Sequence, residues 1–222
     1  MTVRQEPGEP RVLRADARRN QGQILAAARD VFVERGPGAP LDEIAKRAGV
    51  GIGTLYRHFA DRQTLMRAVI LDALVQTADA GERALAQSPD AFVALTGYMH
   101  AVLDLRIAAV IPVLLEQIDL DGEALTSARE RGARTLQQIV DAAHASGSLN
   151  TDVTFGDIGL MLIRLSRPLP GRFAPELNAQ LAHRHLDLLI NGLQPAGSEA
   201  AALGGPGLTL GDLRDLEPGQ PG

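Results

Sequence analysis

The 222-residue chain has no cysteine and no tryptophan, and aromatic residues make up only 3% of it. The absence of cysteine excludes disulfides, thiol catalysis and cysteine metal ligands, and it is typical of proteins from a reducing compartment. The sequence has no run of about 18 apolar residues, which argues against a transmembrane helix. The charged, proline-containing segment 1–14 argues against a secretory signal. We therefore expect a cytoplasmic protein.

Sequence motifs for catalysis and for nucleotide binding are also missing. There is no Gly-x-Ser-x-Gly, no phosphate loop, no dinucleotide fingerprint and no pair of carboxylates on one predicted helix face. Five histidines are present, but His183 and His185 are two residues apart and would point to different faces of a helix. We therefore predict no enzymatic activity, no cofactor and no metal site, and we interpret the histidines as structural or solvated.

Charge is distributed unevenly along the chain. Residues 1–67 carry 12 Lys+Arg against 8 Asp+Glu, whereas residues 68–222 carry 10 against 19. The overall net charge of −5 therefore conceals a basic N-terminal third. A basic segment of this kind is typical of a nucleic-acid-binding part, and the acidic remainder is expected to face away from the nucleic acid.

The stretch 41–59 predicts two short helices separated by a glycine turn. Apolar residues of the first helix recur at three- and four-residue spacing: Leu41, Ile44, Ala45 and Ala48. Gly49 is expected to end that helix, Gly51 to cap the second, and Leu55 and Phe59 to point inward. The pattern favours a helix-turn-helix, although an ordinary corner of a helical bundle is an alternative. The outward face of the second helix would then comprise Ile52, Gly53, Thr54, Tyr56, Arg57 and His58.

The string Gly-Ile-Gly-Thr-Leu-Tyr-Arg-His-Phe at 51–59, followed by Asp-Arg-Gln-Thr-Leu at 61–65, closely resembles the recognition segment of the TetR family of transcriptional regulators. The similarity is specific over roughly residues 18–69 and only architectural beyond them. The resemblance implies that double-stranded operator DNA is a partner. It also implies an unidentified small-molecule effector, which in this family is typically apolar or amphipathic.

The resemblance also assigns roles to single positions. It implies that Thr54, Tyr56 and His58 touch the DNA backbone, and that Arg62, usually lysine in the family, holds a phosphate. Residues 51–53 would lie nearest the bases. The predicted DNA-binding residues are thus Gly51, Ile52, Gly53, Thr54, Tyr56, Arg57, His58 and Arg62.

Two positions depart from the family pattern. Gly51 stands where the family often has serine, and Ala39-Pro40 stands where threonine or serine often begins the preceding helix. Both replacements fit a helix start, because glycine is an accepted N-cap and proline an accepted first helical residue. Side-chain phosphate contacts would nevertheless be lost at both places.

The predicted fold class is all-α: a three-helix DNA-binding head with a helix-turn-helix, joined by a helix to an all-helical C-terminal bundle for ligand binding and dimerisation. The predicted divisions are a flexible basic arm (1–15), the DNA-binding domain (16–60), the regulatory and dimerisation domain (61–195) and a disordered tail (196–222). The tail is assigned from its glycines and prolines and its lack of aromatics.

Within the bundle, Asp61 is predicted to cap a long helix through residue 86, and Thr154 with Asp157 to cap a helix over 155–166. The helices 155–166 and 175–193 carry more leucine and isoleucine than one intrachain contact needs, so we expect a homodimer through them. A kinked helix is expected over 107–118, around Pro112.

Apolar and polar side chains near the centre of the bundle suggest a ligand pocket. Its predicted residues are Tyr98, Met99, Gln117, Met161 and Arg164, with His100 and Arg106 as further candidates. The leading hypothesis is a homodimeric transcriptional repressor that a small molecule releases from its operator. The alternatives are an effector-independent, architectural DNA-binding dimer and a helical small-molecule-binding protein that does not bind DNA.

Overall fold

In the computed structural model, the described residues are 9–115, 122–169 and 173–195. Within these ranges the chain forms nine α-helices and no β-strand, so the predicted all-α class is confirmed. The helices are α1 (Glu9–Arg35), α2 (Leu41–Arg47), α3 (Ile52–His58), α4 (Arg62–Gln87), α5 (Ala91–Asp104), α6 (Ile107–Leu115), α7 (Glu123–Ala145), α8 (Phe155–Leu165) and α9 (Pro175–Leu193).

The head consists of α1, α2 and α3 around one apolar core. α1 ends at Gly36, whose φ of +82° suits glycine and whose N–H donates to the carbonyl of Phe32 at 2.9 Å. The side chains that meet in the head are almost completely buried: Ile24, Ala28, Val31, Phe32, Ile44, Leu55 and Phe59. The inward positions predicted for Ile44, Leu55 and Phe59 are thus confirmed by their burial.

α6 contributes to the core of the head. Its Val110 and Leu114 are fully buried in the same apolar cluster as Phe32 and Leu55. A second cluster, which includes Leu95, Ile139 and Leu186, forms the core of the body from α5 and α7–α9. α6 therefore belongs to the body by sequence and to the head by packing.

α4 joins the head to the body without interruption. Its predicted cap is confirmed, because Asp61 Oδ1 accepts a hydrogen bond from the Thr64 N–H at 2.7 Å. This bond lowers the pKa of the Asp61 carboxyl. Further along, α4 packs closely on α7, where a Cβ added at Gly81 would lie 2.5 Å from Thr135 Cγ2.

The last two helices form a pair with defined starts. The predicted capping box of α8 is confirmed: the Thr154 N–H donates to Asp157 Oδ2 at 2.8 Å, and the Asp157 N–H donates to Thr154 Oγ1 at 3.3 Å. α9 spans the predicted residues 175–193 and begins with proline in its first turn. It buries Leu186 and Ile190, but its exposed side holds three leucines: Leu177, Leu188 and Leu189.

The predicted flexible arm needs correction. α1 begins at Glu9, so residues 9–15 of the arm are helical. Pro10 lies in the first turn, where a helix loses no hydrogen bond to it, and the following Arg, Leu and Ala residues favour helix. Residues 1–8, the predicted tail 196–222 and residues 116–118 of the predicted 107–118 helix lie outside the described part.

In the part of the chain that the structure describes, no helix is both long enough and apolar enough to cross a membrane.

Candidate nucleic-acid interface

The turn between α2 and α3 is held by its backbone. Gly49 has φ +68°, a conformation that other residues rarely adopt, and the Val50 N–H donates back to the Ala45 carbonyl at 3.0 Å. Gly51 is the extended N-cap of α3, and its carbonyl accepts from the Thr54 N–H at 2.8 Å. Both glycines therefore have the predicted roles, and they fix the angle between the two helices.

α3 presents one apolar side to the head and the other side to solvent. Leu55 and Phe59 are 0% and 3% exposed, whereas Ile52 and Tyr56 are 41% and 51% exposed. Of the predicted DNA-binding residues, Gly51, Gly53 and Arg57 are also exposed, while Thr54, His58 and Arg62 are half-buried. A Cβ added at Gly51 or Gly53 would meet nothing within 4 Å, so the backbone there is open to close approach by a partner.

Two polar side chains on this surface are already paired. Arg57 Nη2 donates to Thr54 Oγ1 at 2.8 Å, across one turn of α3. The contact restricts the long arginine side chain before any partner binds, which lowers the entropy cost of using it. Thr54 and Arg57 therefore form one donor unit.

Arg62 has a structural contact that the sequence did not predict. Its Nη1 donates to the carbonyls of Pro37 at 2.8 Å and Ala39 at 2.6 Å, and so ties the start of α4 to the turn before α2. A guanidinium has five N–H donors, so Nε and Nη2 remain for a phosphate. Arg62 thus stabilises the head in addition to the phosphate role expected of it.

Ion pairs set the position of α2 on α1. Arg47 Nη1 lies 2.8 Å from Glu34 Oε2, and Arg35 Nε lies 3.0 Å from Glu43 Oε1. These side chains are partly exposed, so each pair contributes little by itself. The two pairs join α1 to α2 and involve no residue of α3.

A buried arginine connects α1 to the body. Arg29 is 7% exposed, and its Nη2 lies 2.6 Å from Asp72 Oδ2 on α4 while its Nη1 donates to the Leu105 carbonyl at 3.1 Å. Among the described side chains, its Nε is a buried donor without a hydrogen-bond partner. The sequence could have indicated this burial, because Arg29 lies three residues before Phe32 and therefore on the apolar side of α1.

The turn between α5 and α6 makes a second connection to α1. Arg106 has φ +51°, and among the described residues other than glycine it alone has a positive φ. Its Nη1 lies 3.6 Å from both Asp30 Oδ1 and Glu34 Oε1 of α1. A non-glycine residue in this conformation costs about 1 kcal/mol, so the turn is strained where it meets the head.

The residues predicted for a ligand pocket differ in burial. Tyr98 and Met99 are 3% and 0% exposed in the body core, where burial raises the pKa of Tyr98. Met161 is half-buried, Arg164 is exposed and Gln117 lies outside the described residues. Periodicity identified the inner face of α5, and both of its predicted pocket residues pack in the apolar core of the body.

A cavity of about 310 Å³ lies elsewhere, between the α5–α6 turn, the end of α8 and the start of α9. Of the predicted pocket residues within the described part, Tyr98, Met99, Met161 and Arg164 do not line it, although Arg106 does. Its polar lining residues are Glu34, Asp104, Arg106, Ser166, Arg167, Asn178 and His183. Glu34 belongs to α1, so this cavity adjoins the head.

Two histidines form an unpredicted bridge between α5 and α9. His100 Nδ1 lies 2.9 Å from His183 Nδ1, and the two rings are nearly parallel, at 5°. The outer nitrogens face carboxylates: His100 Nε2 lies 3.1 Å from Asp187, and His183 Nε2 lies 2.8 Å from Asp104. Within the described ranges, no three His, Cys, Asp or Glu side chains are arranged to hold a metal ion.

Comparison with known proteins agrees with this geometry. A family model described as bacterial regulatory proteins, tetR family, matches residues 24–69. A TetR transcription regulatory protein from Mycobacterium vanbaalenii is 31% identical, and the match covers 82% of this chain and 99% of that one with a TM-score of 0.59. A TetR transcriptional regulator from Streptomyces coelicolor is 30% identical, and the match covers 80% of this chain and 99% of that one with a TM-score of 0.57.

The HTH-type transcriptional activator FasR of Mycolicibacterium smegmatis is 51% identical over 51 residues, which are 22% of this chain and 23% of FasR. The match to this relative therefore spans about a quarter of its length and is confined to one segment. The two structural matches, by contrast, cover nearly the whole of the chains they match at 30% identity or more. The chain belongs to the TetR family of transcriptional regulators, as the recognition segment had indicated.

Proposed function

We propose that this protein is a homodimeric transcriptional repressor that binds a quasi-palindromic operator and leaves it when a small molecule binds the body. The observation that carries the proposal is the outward face of α3, where exposed Ile52 and Tyr56 flank an open glycine backbone. An exposed helix face of this width fits a DNA major groove. The surplus of Lys and Arg in residues 1–67 supplies the positive field that such binding needs.

We assign the DNA contacts by chemistry. Gly51, Ile52 and Gly53 lie at the start of α3 and would approach base edges, with Ile52 against a thymine methyl group. The hydroxyls of Thr54 and Tyr56 would donate to phosphates. Three further residues complete the assignment: Arg57, which adds polar discrimination through its pairing with Thr54, and His58 and Arg62 on the DNA backbone.

The second part of the proposal is the dimer. Leu177, Leu188 and Leu189 are 43%, 60% and 40% exposed on α9, and Leu160 and Ile163 of α8 are only half-buried. Contiguous apolar surface of this kind is typical of an interface between subunits. A twofold dimer presents two α3 helices, which requires an operator with two related half-sites.

The third part is release by an effector. α4 runs from the head into the body as one helix, α6 packs inside the core of the head, and Arg29 links α1 to the α5–α6 turn. A displacement of the α5–α6 turn would therefore move the head as a unit. Because both α3 helices must meet their grooves at once, a small change in their separation would lower the affinity for DNA.

The experiment is selection of duplexes from a random library by the full chain, followed by transcription in vitro from a promoter containing the selected site. We expect a two-half-site operator and lower transcription when the protein is bound. FasR is named an activator, so higher transcription would reverse the proposed sign and keep the DNA-binding role. Failure to enrich any duplex would overturn the proposal, and DNA binding that no compound weakens would favour an effector-independent dimer.

A further inference from the structure

We propose that the cavity between the α5–α6 turn, the end of α8 and the start of α9 binds a small amphipathic organic anion, a carboxylate on a short alkyl chain. We further infer that this anion is the effector, an inference that rests on the proposed function. The site differs from the pocket residues that the helix periodicity predicted. The argument uses the size of the cavity, its lining and its unpaired charge.

The size and the apolar lining of the cavity indicate how large the ligand is and that most of it is apolar. The cavity measures about 310 Å³, which is room for roughly ten non-hydrogen atoms if each takes the ~30 Å³ of a water molecule in the liquid. Its apolar wall consists of Leu103, Leu165, Pro168, Leu169, Phe173, Pro175, Ala179 and Ala182. Leu169 and Phe173 are 39% and 45% exposed, so apolar surface reaches the open side of the cavity. A short alkyl chain would cover that surface.

The charged side chains that line the cavity indicate the charge of the ligand's polar group. Both carboxylates that line the cavity already have cationic or hydrogen-bonding partners: Glu34 lies 2.8 Å from Arg47, and Asp104 lies 2.8 Å from His183. Arg167 also lines the cavity, and among the described residues it has no ion pair or side-chain hydrogen bond. The unpaired charge that the cavity offers to a ligand is therefore the positive charge of Arg167. This favours an anion over a neutral or cationic ligand.

The position of the cavity connects the ligand to the head. Arg106 lines the cavity and lies 3.6 Å from both Asp30 and Glu34 of α1, which is longer than a hydrogen bond. An added carboxylate would compete for this loosely held guanidinium. The preceding residue, Leu105, accepts the hydrogen bond of Arg29 at 3.1 Å. A ligand that draws Arg106 away from α1 therefore acts on the turn that holds the head.

The first experiment measures binding of octanoate to the full chain by calorimetry and by thermal shift, with octanol and octylamine as uncharged and cationic analogues. We expect octanoate to bind more tightly than either analogue. Arg167→Gln should raise the octanoate Kd about tenfold, the usual effect of losing a charge-assisted hydrogen bond. Ala179→Leu, which places a larger side chain in the cavity wall, should abolish binding.

Arg164→Gln is the matched control, because Arg164 is an exposed arginine only three residues earlier, in the last turn of α8, and it does not line the cavity. It should leave the octanoate Kd unchanged. The anion site is overturned if octanoate does not bind, if octylamine binds equally well, or if Arg167→Gln and Arg164→Gln behave alike. None of these outcomes depends on DNA.

The second experiment measures operator affinity with and without octanoate at a concentration near its Kd for the wild type. A loss of DNA affinity in the wild type, with a much smaller loss in Arg167→Gln at the same octanoate concentration, supports the effector assignment. Octanoate binding that leaves operator affinity unchanged overturns the effector assignment while the anion site stands. If the ligand-free protein binds no DNA, the proposed function fails instead, and the calorimetric result is unaffected.

Discussion

His100 on α5 and His183 on α9 lie against each other, with their Nδ1 atoms 2.9 Å apart and their rings nearly parallel. Each Nε2 atom faces a carboxylate on the opposite helix: His100 Nε2 lies 3.1 Å from Asp187, and His183 Nε2 lies 2.8 Å from Asp104. These four side chains therefore join α5 to α9 through three polar contacts.

This pairing predicts that His183 contributes to stability. His183→Ala removes the contacts with both His100 and Asp104, so it should lower the Tm by about 2–4 °C, the effect of roughly 1 kcal/mol in a chain of this length. His185→Ala, which changes an exposed histidine two residues away, should leave the Tm nearly unchanged. Thermal unfolding of both variants at one pH measures the difference. Equal Tm values for the two variants would show that the contacts of His183 add nothing to stability.

Gly81→Ala should destabilise the protein, because the added Cβ would lie 2.5 Å from Thr135 Cγ2 between α4 and α7. Gly97→Ala on α5 is the matched control: its Cβ would meet nothing within 4 Å, so it should gain the ~1 kcal/mol helix preference of alanine and raise the Tm by about 2–4 °C. Thr135→Ser removes the clashing methyl group, and in the double variant it should recover most of the loss. Thermal unfolding of the four proteins gives the result. No recovery in the double variant would show that the clash lies elsewhere.

Local rules predicted the helix starts and the recognition segment well. Asp61, Gly51 and the Thr154–Asp157 box act on neighbours within three residues, so spacing along the chain is enough to identify them. The TetR-family assignment likewise rested on one contiguous string, and it is confirmed. Assignment of these features needs no knowledge of how the helices pack.

Apart from the start of α1 at Glu9, the features that sequence reasoning missed depend on contacts between residues far apart in the sequence. The cavity is formed by ends of helices and by turns, which helical periodicity does not place, whereas the predicted Tyr98 and Met99 lie in the packed core. His100 and His183 are 83 residues apart and Arg29 and Asp72 are 43 apart. Such pairs follow only from the tertiary arrangement of α1, α4, α5 and α9.

Leu188→Glu should convert the dimer to a monomer. Leu188 is 60% exposed on the apolar side of α9, and a carboxylate there would be buried without a partner in the proposed interface. Val93→Glu is the control, because Val93 is 56% exposed on α5, away from that face. Sedimentation velocity at micromolar concentration should show a monomer for Leu188→Glu and a dimer for Val93→Glu and the wild type. Dimers in all three samples would place the interface elsewhere.

Tyr56→Phe should weaken binding to operator and to random DNA equally, by roughly thirtyfold for two lost hydrogen bonds, one per subunit, of about 1 kcal/mol each. A phosphate contact positions the protein without reading sequence, so the ratio of the two affinities should stay constant. Arg57→Ala should lower that ratio, because Arg57 is assigned to discrimination together with Thr54. Fluorescence anisotropy with both duplexes measures the ratio. A changed ratio for Tyr56→Phe would mean that its hydroxyl reads a base.

Arg29→Met should be the most damaging single change at the junction of head and body. It leaves Asp72 half-buried without the guanidinium that now lies 2.6 Å away, and loss of one partner of a buried ion pair costs about 3 kcal/mol or more. For a chain of this length that corresponds to a fall in Tm of about 6–12 °C. Asp72→Asn in the same chain should recover more than half of the fall, because an amide needs no counter-charge and can still accept from Gln76.

The control for this pair is Arg35→Met, which removes an arginine that lies 3.0 Å from Glu43 within the head. Because the Arg35 side chain is 60% exposed, this variant should shift the Tm by less than about 4 °C. The double variant also tests what the Arg29 bridge does beyond stability. It still lacks the hydrogen bond to the Leu105 carbonyl, so amides of α1 should exchange faster than in the wild type while those of α7 and α9 keep their protection. Hydrogen exchange followed by peptide measures this difference. Equal protection of α1 in both proteins would mean that packing of α6 in the head core, and not Arg29, holds the head to the body.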